Sequence, residues 1–577
     1  MIVNKVCKYT ISLVCVWLLT CTLSYASEWL IYNVQGYTLT AQNQLKTFSA
    51  LHISDDKVKA IYQTSNQWLQ LPSTITKVNG QGYVILPGLT DAHGHVLGLG
   101  YKQQNIDLTA SRSKHAALQK IKQFAIDHPK QQWLIGRGWN QMHWQPQTYP
   151  QAHDLDLVIS DRPIWLRRVD GHAAWANSKA MKIAGINANT PDPEGGQILR
   201  NEKGKPTGIF IDRAMDLVRT HIPETQANEK QQLLKKTLLQ LAKLGITSVH
   251  DAGVSGETLA LYQQLAQQHQ LPIRVYAMLS ASADDYQQWL PKGPIFSTDN
   301  MFTWRSIKLM FDGALGSRGA ALYNDYADAP GQQGLLQYSL DQAIKKVQSA
   351  FQQGLQINTH AIGDRGNGTA LKLYQRLAKT NIKQLKHKQP GRHRIEHAQI
   401  VDPNDMDLFN KLHLIASVQP THATSDRDMA EQRLGPKRLD GAYAWQRLKQ
   451  HGIVLTGGSD FPVEPANPFY GLHAAITRQE RALKPRASWL PSQRLSREEA
   501  LALFTQNAAY AAFQEKILGT LEPGKYADFI IIDRDLFSIP DNSIWQTQVM
   551  ATFVAGKRVW PKQDPFQLKA STSKQSN

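Results

Sequence analysis

Two histidines separated by a single residue, His93 and His95, close an apolar run over residues 83–92. Such a run predicts a buried strand, in which side chains at positions i and i+2 point to the same face. Both rings can then reach one point, and neutral imidazole is the commonest metal ligand in proteins. The pair alone fits hydrogen-bonded core histidines as well, so the metal hypothesis depends on further ligands elsewhere in the chain.

Four further polar residues stand at or near the ends of other apolar segments. They are Lys308, His360, His397 and Asp460. Imidazoles combined with a carboxylate suit Zn²⁺ or a similar divalent ion. The structural alternatives are core histidines and, for Asp460, a helix N-cap before Pro462.

Lys308 differs from the other candidates because an ammonium group has no lone pair. It can bind metal only when it is deprotonated, or when CO₂ carbamylates it into a carboxylate-like bridge. The alternative is a lysine paired with Asp312 or Asp460. His393, four residues before His397, shares the predicted face of its strand but lies deeper, which favours a structural role.

The segments that carry these residues alternate with helical patterns at 229–244, 339–353 and 405–412, which is typical of a parallel α/β fold. Eight βα units fit a (β/α)8 TIM barrel, whose active sites lie at the carboxyl ends of the strands. The predicted strands cover residues 84–86, 246–250, 273–278, 307–311, 355–359, 394–396, 414–418 and 453–456.

Short β-strand patterns at both ends of the chain predict a small β-sandwich domain composed of residues 27–83 and 517–563. The barrel domain then covers residues 84–516. Its long insertion at 101–228, after the first strand, predicts a lid over the catalytic face. The polar residues 564–577 predict a disordered tail.

The first 26 residues have the features of a secretory signal peptide. Lys5 and Lys8 precede an apolar stretch at 11–23, and small residues precede a cleavage point after Ala26. We therefore expect an exported, periplasmic protein without a stable transmembrane anchor. A lipoprotein anchored through Cys21 and a retained signal anchor are the alternatives.

All three cysteines, Cys7, Cys15 and Cys21, lie in this leader, so the mature chain has no thiol for a disulfide or a metal site. The formal net charge is +17. Because the positive residues are scattered and no nucleic-acid motif is present, nucleic-acid binding is not expected. The sequence leaves the oligomeric state open, including a homo-oligomer.

In this order along the chain, the motifs resemble the amidohydrolase superfamily, and more narrowly the branch that includes N-substituted formamide deformylases. The likeness extends over nearly the whole mature chain. It rests on Pro-Gly-Leu-Thr-Asp-Ala-His at 87–93, Asp-Gly-His-Ala-Ala-Trp-Ala-Asn at 170–177, Lys308 followed by Asp312 and Gly313, and Gly-Lys-Tyr-Ala-Asp at 524–528. The resemblance implies one or two divalent ions held by the candidate set, with Lys308 carbamylated as a bridge where there are two.

The ligand set and the resemblance predict a metal-dependent hydrolase acting on a carbon–nitrogen bond other than a peptide bond. Metal-activated hydroxide would attack the carbonyl, and Asp460 would carry a proton to the leaving amine. The expected substrate is a small amide-like molecule of the N-acyl or N-formyl amine type. Alternatives are a deaminase, a lactone, ester or carbamate hydrolase on the same scaffold, and a non-catalytic exported binding protein. Lys308 argues against the deaminase, and the complete ligand set argues against the binding protein.

Further candidates lie in the insertion and in the loops after the strands. His172, Arg318 and His422 are candidates for stabilising charge on the carbonyl oxygen, and His172 is also a candidate catalytic residue. For Arg318 and His422, surface or structural roles fit equally well. Four aromatic residues are candidates for lining a substrate pocket, although packing is the commoner role of tryptophan: Trp139, Trp144, Trp175 and Phe461.

Overall fold

Strands from both ends of the chain form one mixed β-sheet. The computed structural model describes residues 28–379 and 391–561, so the predicted signal peptide, its alternatives at Cys21 and the predicted tail lie outside the described residues. Apolar side chains of this sheet pack into a core of their own. Its eight strands are Glu28–Leu39, Leu45–Ser54, Lys57–Tyr62, Thr76–Asn79, Val84–Pro87, Phe529–Ile532, Val549–Val554 and Lys557–Trp560.

Residues 84–86 belong to this sheet, which corrects the prediction that they form the first barrel strand and begin the barrel domain. The first barrel strand is instead Leu89–Gly94. The apolar run is continuous in sequence, but it supplies two sheets in succession, with Gly88 between them. Glycine is required there because a Cβ would lie 2.2 Å from Thr247 Oγ1.

Eight parallel strands alternate with helices and form a nearly closed (β/α)8 barrel, as the sequence predicts. The other seven predicted strands each overlap a barrel strand. We number the barrel strands β1 to β8 in chain order: Leu89–Gly94, Ile246–Val254, Arg274–Ser280, Phe302–Met310, Gln356–Ala361, Arg394–His397, Ile415–Val418 and Val454–Gly457.

Capping residues mark where the barrel helices begin. In Leu340–Gln352, the Ser339 side chain accepts from the Gln342 backbone N–H while the Gln342 side chain accepts from the Ser339 N–H. Within residues 28–379 and 391–561, no helix combines the length with the hydrophobicity that a membrane span needs. The main ones are Val96–Gln104, Ala227–Lys243, Gly256–Gln267, Leu340–Gln352, Asp364–Ala378, Met406–Lys411, Trp445–Gln450 and Pro468–Thr477.

The long insertion after β1 contains a six-stranded sheet with apolar side chains on both faces. It contacts the loop that follows β4, where Tyr149 Oη donates to the Ser317 carbonyl at 3.2 Å. The insertion therefore reaches the end of the barrel from which the β4 loop emerges. In sheet order its strands are Gly196–Arg200, Pro206–Asp212, Ala173–Ala176, Ile164–Arg168, Leu134–Trp139 and Ile106–Asp107.

Candidate metal centre

Three side chains from β1, β6 and the end of β8 converge inside the barrel mouth. One ligand atom each of His93, His397 and Asp460 lies within 4.8 Å of the others, and all three residues are buried. Within the described part of the chain, this is the one group of at least three His, Cys, Asp or Glu side chains placed closely enough to hold a metal ion. Two imidazoles and a carboxylate are donors that suit Zn²⁺.

The contact that His93 makes through Nδ1 assigns the lone pair of its ring to Nε2. Nδ1 lies 2.5 Å from Glu396 Oε2. Burial, and then the charge of Lys308, lower the pKa of His93 to about 4. Burial alone would raise the pKa of Glu396, but the interaction with His93 outweighs burial and brings that pKa to about 2. At neutral pH, a neutral imidazole therefore donates from Nδ1 to an ionised carboxylate.

His397 is held in the matching tautomer by Gln419. Gln419 Nε2 donates to the Ser417 carbonyl at 3.1 Å, so its Oε1 faces His397 Nδ1 at 2.7 Å. Nδ1 must then carry the proton, and Nε2 keeps its lone pair. Burial and the charge of His360 lower the pKa of His397 well below its usual range, which keeps the ring neutral.

Asp460 connects the two ends of the His-x-His motif. Its backbone N–H donates to the His93 carbonyl at 2.7 Å, and the residue adopts a φ of 57°. Oδ1 lies 2.9 Å from His95 Nε2 and 3.6 Å from His93 Nε2. Burial alone would raise the pKa of Asp460, but the close contact with His95 and the other surrounding imidazoles hold that pKa well below its usual range.

Glycine between the two histidines allows this arrangement. A Cβ at position 94 would lie 2.2 Å from the ring of Phe461, which packs against the His-x-His backbone. His95 N–H donates to the Phe461 carbonyl at 2.8 Å. Phe461 is thus a buried packing residue of the motif.

Lys308 contacts His93 rather than a carboxylate. Its Nζ lies 3.1 Å from His93 Nε2, and it forms no ion pair with Asp312 or Asp460 among the described residues. This corrects the alternative of a simple lysine–aspartate pair. Asp312 instead accepts from the backbone N–H groups of residues 321, 362 and 363. Burial lowers the pKa of Lys308.

His360 and His172 extend the row of imidazoles away from His397. The His360 ring centroid lies 4.4 Å from that of His397 and 5.1 Å from that of His172. His360 Nε2 lies 3.4 Å from the Gly313 carbonyl, so Nδ1 carries its lone pair. The structure places His360 beside the three-residue group, although not within it.

His172 enters from the insertion and is held by Asp212. Its Nδ1 lies 2.7 Å from Asp212 Oδ1, and the Asp212 N–H donates to the His172 carbonyl at 3.0 Å. Burial lowers the pKa of His172, but the hydrogen bond and charge of Asp212 outweigh it, so the pKa lies above its usual range. The structure thus brings the predicted insertion histidine to the barrel mouth.

Of the remaining candidates, His422 lies at the centre and Arg318 is engaged elsewhere. His422 Nε2 lies 3.8 Å from Asp460 Oδ2, and its ring stacks on His397 at an interplanar angle of 11°. The Arg318 guanidinium instead pairs with Asp328, at 2.9 Å from Nη2 to Oδ2. That ion pair gives Arg318 a structural role in the loop after β4.

The tryptophan candidates form the core of the insertion. Trp139 is fully buried, its Nε1 donates to the Leu166 carbonyl at 2.7 Å, and its ring packs against Trp144 and Trp175. Their contacts show these indoles packed in the core of the insertion, and a contact with substrate stays a prediction. Their N–H groups are satisfied by backbone carbonyls, as buried indoles require.

His393 has the structural role that its depth suggests. Its Nδ1 accepts from the Ile357 backbone N–H at 3.0 Å, and its ring stacks on Tyr374. The prediction of a structural histidine is therefore confirmed.

Sequence reasoning missed four residues that hold the candidate ligands in place: Glu396, Gln419, Asp91 and Asp212. Asp91 joins β1 to the end of β8, because it accepts from His93 N at 3.1 Å and from Ser459 Oγ at 2.6 Å. Glu396 and Asp91 carried a signal, since each is an acidic residue within a strand that also bears a candidate ligand. Gln419 and Asp212 gave no such signal, because only the fold brings Gln419 to His397 and Asp212 to His172.

Comparison with known proteins gives the arrangement a family context. The model of the Amidohydrolase family matches residues 78–560. The putative amidohydrolase YtcJ of Bacillus subtilis (strain 168) is 30% identical over 537 residues, covering 91% of this chain and 98% of the relative. The N-substituted formamide deformylase of Arthrobacter pascens is 23% identical over 489 residues, covering 82% of this chain and 88% of the relative. The crystal structure of an uncharacterized metal-dependent hydrolase from Pyrococcus horikoshii OT3 has a TM-score of 0.70 and 27% identity, covering 89% of this chain and 99% of the other.

Proposed function

This chain belongs to the amidohydrolase family, a family of metal-dependent hydrolases, and we propose that it cleaves the carbon–nitrogen bond of a small non-peptide amide. The observation that carries the proposal is the position of Asp460, whose two carboxylate oxygens face different groups. Oδ1 faces His95 and His93, whereas Oδ2 faces His422. One oxygen can therefore stay with the ligand set while the other meets a substrate proton.

The donor set fits a divalent metal ion, for which we propose Zn²⁺. His93 and His397 each have Nδ1 engaged with an acceptor, so both direct an Nε2 lone pair elsewhere. Asp460 adds a carboxylate that is ionised at neutral pH, and we place His95 and His360 in the same ligand set. A divalent ion bound there would lower the pKa of water and polarise the substrate carbonyl.

We assign the proton transfers to Asp460. Because its pKa lies well below the usual range, it is ionised at neutral pH and can accept a proton from the attacking water. It would then donate that proton to the departing nitrogen, acting first as general base and then as general acid. His95 Nε2 lies 2.9 Å from Oδ1, so this oxygen stays beside the ligand set during both steps.

We assign stabilisation of the developing oxyanion to His172. Asp212 fixes Nδ1, and Nε2 has no hydrogen-bond partner among the described residues. The pKa of His172 lies above its usual range because Asp212 outweighs the effect of burial. A positioned cationic donor is the group that such an intermediate requires.

We also propose that Lys308 is carbamylated in the active enzyme. Burial lowers the pKa of its amine, which favours the neutral form that adds to CO₂. The carbamate would place an anionic oxygen near His93 Nε2, where the amine now lies at 3.1 Å. The site would then have two carboxylate-type donors, enough for a second metal ion.

We propose export to the periplasm, on the basis of the leader and the absence of cysteine after residue 21. Fractionation of cells that express the whole chain tests this. Recovery of a chain shortened at its amino end in the periplasmic fraction supports export, whereas full-length chain in the cytoplasm contradicts it.

The proposed function is tested by metal analysis together with Asp460→Asn. We expect stoichiometric divalent metal in the purified protein and activity on a panel of N-acyl and N-formyl amines. Asp460→Asn should lower kcat by about 10²-fold or more, in line with the loss of a general acid–base group. Asp341→Asn, an exposed change on a barrel helix, is the matched control.

Two results would contradict the proposal: protein without stoichiometric metal, or Asp460→Asn with full amide hydrolysis. Lactones, carbamates and aminated heterocycles belong in the same panel. If the protein turns over only lactones, only carbamates or only aminated heterocycles, it is a lactone hydrolase, a carbamate hydrolase or a deaminase instead.

A further inference from the structure

Two arginines of the insertion face each other on neighbouring parallel strands. Arg137 and Arg167 are register partners in Leu134–Trp139 and Ile164–Arg168. Like charges directly opposite each other on adjacent strands repel. Negative charge near such a pair stabilises it, and the charge of Asp170 acts on both guanidinium groups in this way.

The described residues supply no direct carboxylate partner for this pair. Arg137 Nη2 donates to the Val169 carbonyl at 2.8 Å, and Arg167 Nη2 donates to the Gly171 carbonyl at 2.8 Å. The Nε of Arg137 is buried without a hydrogen-bond partner. The next residue, Arg168, differs, because its guanidinium bonds to Asp170, Gln141 and Asn140. Each guanidinium nitrogen of Arg168 therefore donates a hydrogen bond, whereas neighbouring Arg167 keeps N–H donors without an acceptor in the described part of the chain.

The pair lies beside the candidate metal centre. Gly171, which receives the Arg167 hydrogen bond, directly precedes His172. Burial and the charge of Arg167 lower the pKa of Arg137 to about 10, and the charge of Asp460 acts in the opposite direction. The same Asp460 charge acts on Arg167. Both guanidinium groups are therefore within electrostatic range of Asp460.

Arg167 is accessible to solvent although protein surrounds its guanidinium. Its side chain is exposed, yet the surrounding protein desolvates it and so lowers its pKa. A cation in such a place interacts with an anionic ligand more strongly than one in bulk water.

We propose that Arg137 and Arg167 bind a carboxylate group of the substrate, so that the enzyme acts on amides that carry a negative charge away from the scissile bond. This inference rests on the proposed function and narrows its substrate class. Guanidinium groups suit the task because their planar N–H donors match the two oxygens of a carboxylate. The carboxylate can lie on the amine side, as in an N-acyl amino acid, or on the acyl side, as in a dicarboxylic acid monoamide.

Three matched amides distinguish these cases. N-acetylbenzylamine is neutral, N-acetylphenylglycine adds a carboxylate on the amine side, and N-benzylsuccinamic acid has one on the acyl side. We expect kcat/KM for one of the anionic amides to exceed that for the neutral amide by about 10-fold or more, the scale of a charge-assisted hydrogen bond. Arg167→Gln should bring this ratio close to one, and Arg137→Gln should lower it too.

Arg200→Gln is the matched control, because it removes the same charge from the same insertion at a guanidinium already paired with Asp192. It should leave the ratio unchanged. Thermal unfolding of each variant shows whether it is folded. An anionic-to-neutral ratio near one in the wild type, or a ratio that folded Arg167→Gln retains, overturns the inference.

Equilibrium binding separates this inference from the proposed function. Titration of metal-loaded Asp460→Asn with the same three amides should show at least 10-fold tighter binding of one anionic amide, lost on adding Arg167→Gln. If no amide is hydrolysed by the wild type but this preference appears, the proposed function fails and the carboxylate site stands. Equal binding of all three, or no binding, overturns the carboxylate site.

Discussion

His93 and Glu396 are separated by 303 positions in the sequence, yet His93 Nδ1 lies 2.5 Å from Glu396 Oε2 in the barrel interior. The bond joins β1 to β6, and both side chains are fully buried. It fixes the ring orientation and tautomer of a candidate ligand, so the metal geometry depends on a carboxylate that is not itself in the three-residue metal group. Because Glu396 precedes His397, a single strand supplies one candidate ligand and orients another.

Glu396→Gln should weaken metal binding by about 10- to 100-fold, the usual effect of losing the charged partner of a ligating histidine. The amide keeps an oxygen for His93 Nδ1 but removes the negative charge that strengthens the bond. Competition with a chelator measures the metal dissociation constant. Glu515→Gln, which removes a carboxylate paired with Arg392 elsewhere on the barrel, is the control. Equal metal affinity in both variants would contradict the role of Glu396.

Gln419→Leu should lower metal affinity and stability, whereas Gln419→Glu should restore much of both. Leucine leaves the Nδ1–H of buried His397 without an acceptor, at a cost of about 1–3 kcal/mol in the free energy of unfolding. Glutamate supplies an oxygen where Oε1 now lies, 2.7 Å from Nδ1. Chelator competition and urea unfolding on the same preparations test both effects. If the two variants behave alike, Gln419 does not set the His397 tautomer.

The sequence predicts the barrel well because strand and helix periodicity repeat many times and because candidate ligands mark the strand ends. The prediction from sequence is wrong at residues 84–86 because one apolar run supplies strands to two different sheets. The hydrophobic pattern does not change at Gly88, where the chain passes from one sheet to the other. Trp139 shows a second limit. Apolar core and apolar pocket need the same residue type, so only the packing around the indole distinguishes them.

In the candidate site, the metal ligands can be predicted from the sequence, whereas the residues that orient them cannot. Ligand types such as His93 and Asp460 are visible in sequence because metal chemistry restricts which residues can serve. Orienting groups are not visible, because any acceptor of suitable reach can hold an imidazole. Gln419 is therefore found only when β6 and the segment after β7 are placed side by side.

Gly94→Ala should disrupt the centre although it adds a single methyl group. The new Cβ would lie 2.2 Å from the Phe461 ring, so the ring or the His-x-His backbone must move. Overpacking of this kind costs about 1–3 kcal/mol of stability. Thermal unfolding and metal content measure the effect. Adding Phe461→Leu should recover part of the loss, since the two sites are in contact. No recovery in the double variant would point to a cause other than this contact.

His393 should make the protein sensitive to acid. Burial lowers its pKa to about 4, below the value of about 6.5 in an unfolded chain. A group with a lowered folded-state pKa binds fewer protons when folded, so its contribution is present above pH ~6.5 and is lost as the pH falls towards 4. Linkage gives a loss of roughly 2 kcal/mol between pH 7.5 and pH 5.

The test is His393→Asn, which keeps an acceptor for the Ile357 N–H but does not titrate in this range. Its urea midpoint should fall less than that of the wild type between the two pH values. His269→Asn, at an exposed position, should change nothing. If the urea midpoints of His393→Asn and the wild type fall by the same amount, His393 is not the source of the acid sensitivity.

Asp212→Asn should lower kcat by about 10-fold or more while changing KM little. The amide oxygen of the introduced side chain would still accept from His172 Nδ1, which now lies 2.7 Å from Asp212 Oδ1, so the ring would keep its place. The negative charge that favours the cationic imidazole would be lost, and with it the stabilisation that acts mainly in the transition state. A residue that acts only in folding would instead change the amount of folded protein and leave kcat per folded molecule unaltered. Steady-state kinetics normalised to folded, metal-loaded enzyme distinguish the two roles. A large rise in KM with unchanged kcat would indicate that His172 binds substrate without stabilising the oxyanion.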